Sequence, residues 1–126
     1  MNRIFSRDHV WLLSEQDSEF ILGITDFAQQ QLGDLVFVDL PSVGDKTNSK
    51  QSCLVVESVK SASDVISPLS GIIIAINEHL IDSPEIINES PYDEGWILRI
   101  KADPDAVIEG NMSVDEYNKF LETNSE

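Results

Sequence analysis

One lysine stands in a setting suited to chemistry. The segment Glu57-Ser58-Val59-Lys60-Ser61-Ala62-Ser63-Asp64 joins two strand-like runs, and Lys60 falls near its midpoint. A hairpin tip there projects the amine into solvent, with the small residues Ser61, Ala62 and Ser63 on one side. Such an amine is open to acylation by another enzyme. The amide removes the positive charge and leaves the backbone of the turn untouched. A long arm attached at that point carries the chemistry, and the chain supplies presentation. The plainer reading is a lysine on a solvated turn, satisfied by Glu57 and Asp64, which is the ordinary fate of lysine.

Little else is placed for reaction. Cys53 is the one cysteine, so no internal disulfide forms and nothing calls for an oxidising compartment. Its run, Cys53-Leu54-Val55-Val56, reads as a small buried hydrophobe rather than a reactive thiol. The two histidines, His9 and His79, are far apart and do not make a zinc spacing. No phosphate-cradling glycine loop and no G-x-S-x-G elbow occurs. Carboxylates are so plentiful that no pair stands out for acid–base work. The chain is expected to be a non-catalytic protein without metal.

Charge narrows the partners. Lys and Arg number 8 and Asp and Glu 23, a net charge of −15. Such a surface repels phosphates, which excludes general nucleic-acid binding and disfavours an anionic membrane. It favours solubility, opposes self-association and leaves basic protein surfaces as partners, so a monomer is expected. The longest apolar run, Ile72 to Ile76, is far short of the roughly 20 residues that span a bilayer. Arg3 and Arg7 are followed by Asp8 and no apolar stretch, so no signal peptide is read. With Met1 at the start, the cytoplasm is the expected location.

The elements that must position Lys60 read as mainly β. The 126 residues suit one domain, 1–126. Period-2 alternation predicts strands over Val10–Leu13, Glu19–Ile24, Leu35–Leu40, Ser52–Val59, Gly71–Asn77 and Trp96–Lys101, with a shorter one from Val65. A short helix starts at Asp26, where Asp26 and Gln29 fit a capping box and Gly33 the C-terminal cap. Asn77–Ile81 reads as a turn or short helix, and Pro84–Pro91 as extended loop with Ile86 and Ile87 anchored. Ser113 and Glu116 cap a C-terminal helix, about 113–123, with Val114, Tyr117, Phe120 and Leu121 on one face. Residues 123–126 read as a frayed end. Short strands linked by turns suggest a small barrel or sandwich.

The run Glu57-Ser58-Val59-Lys60-Ser61-Ala62-Ser63-Asp64-Val65-Ile66-Ser67-Pro68-Leu69-Ser70-Gly71 closely resembles the lipoylation segment of the glycine cleavage system H protein family. Gly23-Ile24-Thr25-Asp26-Phe27-Ala28-Gln29, followed by Leu32-Gly33-Asp34-Leu35-Val36-Phe37-Val38-Asp39-Leu40-Pro41, resembles the family's N-terminal signature. Pro84, Ile87-Asn88, Pro91-Tyr92 and Gly95-Trp96 resemble a third motif, and Asp115-Glu116-Tyr117 with Phe120-Leu121 is similar to the last helix. The four ordered motifs span about His9 to Leu121. The resemblance implies a lipoyl-domain-type flattened barrel or sandwich of two antiparallel sheets, with a lipoyl-binding core at about 21–103, a short internal helix and a C-terminal helix. It implies lipoate, one per chain, in amide linkage on Lys60. The partners implied are glycine decarboxylase (a pyridoxal-phosphate enzyme), a tetrahydrofolate-dependent aminomethyltransferase, dihydrolipoyl dehydrogenase, and a lipoate ligase or lipoyl transferase. The chain would then shuttle the aminomethyl group of glycine among the first three. Biotin carriers usually flank their lysine with methionines, and lipoyl domains of 2-oxoacid dehydrogenases usually read D-K-A. Val59-Lys60-Ser61 fits neither.

The chain departs from the family pattern beside the arm. Relatives commonly read H-E-W where this chain has His9-Val10-Trp11, and the acidic residue there helps hold the loaded arm's amine. A histidine common before the L-G pair is Gln31 here, and the usual glutamates after Ser70-Gly71 are replaced by Ile72-Ile73-Ile74-Ala75-Ile76. The attachment segment is intact while the arm-docking surface is altered. This leaves a second reading, a diverged H-like carrier that relays or presents lipoate to other proteins without supporting glycine cleavage. An unmodified interaction module is a third.

Overall fold

In the computed structural model, which describes residues 3–108 and 110–124, alternating apolar residues build antiparallel strands in two sheets. In chain order the strands are β1 (Arg3–Phe5), β2 (Val10–Ser14), β3 (Glu19–Ile24), β4 (Leu35–Asp39), β5 (Lys46–Thr47), β6 (Ser52–Ser58), β7 (Ala62–Ile66), β8 (Gly71–Ile76) and β9 (Leu98–Ala102). Helices α1 (Asp26–Leu32), α2 (His79–Asp82), α3 (Ile86–Glu89) and α4 (Val114–Asn124) complete the described chain. One sheet has the order β1-β2-β3-β9-β8-β5 and the other β4-β6-β7. They do not close into a barrel. Their inner faces share one core, with Leu12, Leu22, Ile73, Leu98 and Ile100 from the larger sheet against Leu35, Val38, Leu54, Val56 and Val65 from the smaller.

A second cluster, around Phe5, Trp11 and Tyr117, docks α4. Trp11 is buried, and its Nε1 donates to Ile24 O at 3.1 Å and Pro91 O at 3.0 Å. The ring lies flat over Gly23, where a Cβ would stand 2.6 Å from the indole. Only glycine permits that approach within a strand.

Several elements differ from the expectation. The edge strands β1 and β5 are three and two residues long, too short to show a period. Strand β7 begins at Ala62, earlier than expected, because Ser63 and Asp64 are polar yet pair with Val56 and Val55. The segment from Pro84 holds a helical turn, α3, in place of extended loop, although Ile87 is fully buried as expected. Trp96 and Ile97 precede β9. The N-cap of α1 is Thr25, whose hydroxyl accepts from Ala28 N at 3.2 Å, while Asp26 instead accepts from the Gln29 side chain at 2.8 Å. Gly33 is the C-cap, at φ +82. The Ser113–Glu116 box forms, with Ser113 N donating to Glu116 Oε1 at 2.8 Å. Val114, placed on the apolar face from sequence, is 53% exposed. The last turn is helical through Asn124, and Ser125 and Glu126, read as frayed, lie outside the described residues, as does Met1.

Cys53 is half-buried. Its Sγ donates to Val65 O at 3.4 Å, and burial pushes the thiol pKa up to about 12.

Candidate functional site

The Lys60 turn is fixed from beneath by one serine. Glu57 pairs with Ala62, and Ser58 N donates to Ser61 O at 2.8 Å to close the tip. Ser58 Oγ accepts from Lys60 N and Ser61 N, each at 3.1 Å, and donates to Ser61 O at 3.2 Å. Ser58 is buried while Val59, Lys60 and Ser61 are exposed. A serine oxygen with two lone pairs and one proton satisfies all three contacts. Val59 N donates to Asp34 O at 3.1 Å and ties the tip to the chain entering β4. The sequence marked Lys60 and missed Ser58, because a serine in a polar turn carries no distinguishing pattern.

Lys60 is exposed, and its Nζ donates to Gln31 O at 3.0 Å, in the last turn of α1. Free carbonyls at a helix C-terminus are natural partners for lysine. The amine thus meets a backbone oxygen, while the Asp64 carboxylate accepts from Ser52 Oγ at 2.9 Å. A Cβ on Gly33 would come within 3.3 Å of Lys60 Cε, so the glycine cap leaves the room in which the side chain lies.

Beside the hairpin is a cleft of about 160 Å³ between β2, α1 and the β6-β7 pair. Val10, Ile24, Phe27, Leu32, Val56 and Val65 give it apolar walls, and Asp8, His9, Gln31, Ser63 and Asp64 line it as well. Val10 on β2 and Gln31 on α1, two of the departures noted from sequence, therefore line the same cleft. Val10 is 1% exposed and belongs to the core, and Asp8 two residues earlier is exposed. Ile72 and Ile74 are on β8 in the other sheet and take no part in the cleft. A larger groove, about 800 Å³, runs between α4, α1 and β1 and includes no residue of the hairpin.

His9 anchors the cleft to α4. Its backbone is held at φ +65 by hydrogen bonds from its N to Ser6 O at 3.2 Å and from Thr25 N to its carbonyl at 3.0 Å. His9 Nδ1 lies 2.7 Å from Tyr117 Oη, which lies 2.8 Å from Thr25 Oγ1. Burial lowers the His9 pKa, opposed by the neighbouring Asp8 carboxylate. Burial pushes Tyr117 up to about 12, opposed by the Thr25 hydrogen bond. One chain of contacts thus runs from α4 through Tyr117 and the N-cap of α1 toward the carbonyl that meets Lys60. No local sequence pattern reveals it, since its members are 108 residues apart.

Known proteins match nearly the whole of the chain. The family model described as "Glycine cleavage H-protein" matches residues 3–124. The "Glycine cleavage system H protein" of Cronobacter sakazakii is 48% identical over 118 residues, 94% of this chain and 92% of its own. That of Photorhabdus laumondii is also 48% identical, covering 94% and 91%. The crystal structure of a glycine cleavage system H protein from Mycobacterium marinum superposes with a TM-score of 0.88 at 34% identity, covering 96% of this chain and 97% of the other. A lysine hairpin beside an apolar cleft, on two antiparallel sheets and in a chain matched over nearly its whole length, places this protein in the glycine cleavage H-protein family.

Proposed function

We infer that the chain is a lipoyl carrier, with lipoate bound through an amide on Lys60, and that it shuttles the aminomethyl group of glycine between the enzymes of glycine cleavage. The observation that carries this is an exposed amine on a tip locked by Ser58 and Asp34, next to an apolar-walled cleft. The residues fit the group. Lys60 offers an acylable amine, Gly33 leaves its stem unobstructed, and Val10, Phe27, Leu32 and Val65 can cover an aliphatic arm. The bound group supplies a dithiol/disulfide couple and a sulfur on which one-carbon cargo is carried. The chain's own residues do the presenting. Ser58 holds the turn, the Gln31 carbonyl orients the unmodified amine, and the cleft shelters the arm from water.

Attachment joins the lipoate carboxyl, activated by ATP as an acyl adenylate, to Lys60 Nζ. The amide forms, AMP leaves, and the amine gives up a proton. Incubation with lipoate ligase, lipoate and ATP followed by intact-mass measurement should show a single lipoyl addition, absent in Lys60→Arg. Addition that persists in Lys60→Arg removes the assignment.

A second reading has its own observation. Val10 is packed into the core where the family commonly carries an acidic residue. A carrier so altered could relay or present lipoate without supporting glycine cleavage. Asp8, exposed and lining the cleft, is the carboxylate placed to take over. Reconstitution with glycine decarboxylase, the aminomethyltransferase and dihydrolipoyl dehydrogenase separates the two. Turnover that falls in Asp8→Asn supports the shuttle, and lipoylated protein inert with all three enzymes supports the relay.

A further inference from the structure

Resting on the reading of Lys60 as the attachment point, we propose that the outward face of the β4-β6-β7 sheet, centred on Val36 and Phe37, is where the lipoate-attaching enzyme docks. That enzyme meets it with an apolar seat rimmed by basic side chains.

The face exists because β4 carries a bulge. Leu35 pairs with Ser58 and Phe37 with Glu57, so two steps along β4 match one along β6, and Val36 is the extra residue. A bulge disturbs the alternation of a strand and re-aims a side chain. Here Leu35 and Val38 stay in the core while Val36 and Phe37 are 54% and 50% exposed in succession. Val59, at the Lys60 tip, is 69% exposed, and its N–H is bonded to Asp34 O just before β4. Three large apolar side chains therefore share the surface that presents the lysine. Aromatic side chains on such a surface are the usual anchors of a protein contact.

Charge identifies the occupant. Strands β4, β6 and β7 contain Asp39, Glu57 and Asp64 and no lysine or arginine, and Asp34 precedes β4. All four are exposed, and the register sets Glu57 beside Phe37 and places Asp39 and Asp64 on either side of Val55. The complement is a basic rim around an apolar centre. An enzyme that acylates Lys60 must bring its active site over Nζ, so the surface around its mouth covers this region. The other exposed apolar pair, Ile72 and Ile74, lies on the larger sheet, where Ile72 pairs with Lys46 and Lys101, and it offers the opposite charge.

The test is lipoylation kinetics with lipoate ligase, lipoate and ATP, varying the concentration of this chain. Phe37→Ser should raise KM by about fivefold or more and Val36→Ser by about threefold, with kcat held within about twofold. Phe37→Leu should stay near wild type, and so should Val107→Ser, which alters a 71% exposed residue in the loop after β9. Raising salt from about 0.05 M to about 0.5 M should raise the wild-type KM several-fold as the charges are screened. Thermal melts of each variant separate docking from folding. If KM is unchanged in both serine variants while Lys60 is acylated normally, the docking face is overturned and the attachment reading stands. Wild-type chain that is never acylated at Lys60 overturns both. A defect confined to kcat, or a KM indifferent to salt, also overturns the docking face.

Discussion

Replacing Gly33 with alanine separates two costs that the fold superimposes at one position. Gly33 sits at φ +82 and ψ −162. L residues enter such regions only under strain, at about 1–3 kcal/mol. The new Cβ also lands 3.3 Å from Lys60 Cε, a few tenths of an ångström too close. Lys60 is exposed, so it yields by leaving its rotamer, at roughly 0.5–1.5 kcal/mol, and loosens its bond to Gln31 O. Gly44 supplies the control, with φ +99 and nothing within 4 Å of its built Cβ. Gly44→Ala should lose about 1–2 kcal/mol from the backbone alone, and Gly33→Ala about 2–3 kcal/mol. Adding Lys60→Ala to Gly33→Ala should return about 0.5–1 kcal/mol, the coupling of the pair. Urea unfolding followed by tryptophan fluorescence measures the wild type, these three variants and Lys60→Ala, which closes the cycle, at one m value. At this chain length, each kcal/mol lowers the melting temperature by roughly 3–5 °C. Equal losses at both glycines, with no recovery in the double variant, would refute the contact between the helix cap and the lysine stem.

Tyr117→Phe removes the hydroxyl between His9 Nδ1 and Thr25 Oγ1 and keeps the ring stacked on Phe5 at 4.8 Å. It should cost about 1–3 kcal/mol and speed hydrogen exchange of the Ala28 amide, and a loss under about 0.5 kcal/mol would show that the link is not structural. The His9 pKa is lowered below its ordinary 6.5 by burial, so the unfolded chain binds that proton first as pH falls. The His9 contribution should be intact above pH 6.5 and lost as pH drops from there to the folded-state pKa. His9→Gln should flatten that part of the stability–pH curve, and an unchanged slope would contradict the assignment.

The family was legible because four ordered motifs run along the chain, and the strands with clean alternation, such as β3, were legible from period alone. What stayed hidden depends on partners far along the chain. The bulge at Val36 is a mismatch between β4 and β6, which neither strand shows by itself. The capping role of Thr25 was masked by Asp26, an equally good capping residue one position later. The helical turn at Ile86 was obscured by its flanking prolines, Pro84 and Pro91, which also suit an extended loop. That Asp8 and Asp64 share a cleft with Gln31 depends on the fold, since the sequence offers both carboxylates without placing either.

Cys53 belongs to the strand that leads up to the Lys60 tip, with its sulfur turned toward Val65 O and its pKa near 12. Burial thus keeps the group almost wholly in the thiol form at neutral pH. Thiol–disulfide exchange proceeds through the thiolate. A cyclic disulfide on the arm proposed for Lys60 would therefore meet only a weakly nucleophilic thiol on its own chain, and self-capture as a mixed disulfide would be suppressed without any need to exclude cysteine. For the same reason, alkylation of the folded, lipoylated protein at neutral pH would report whether such an arm is reduced rather than the state of the protein's own thiol.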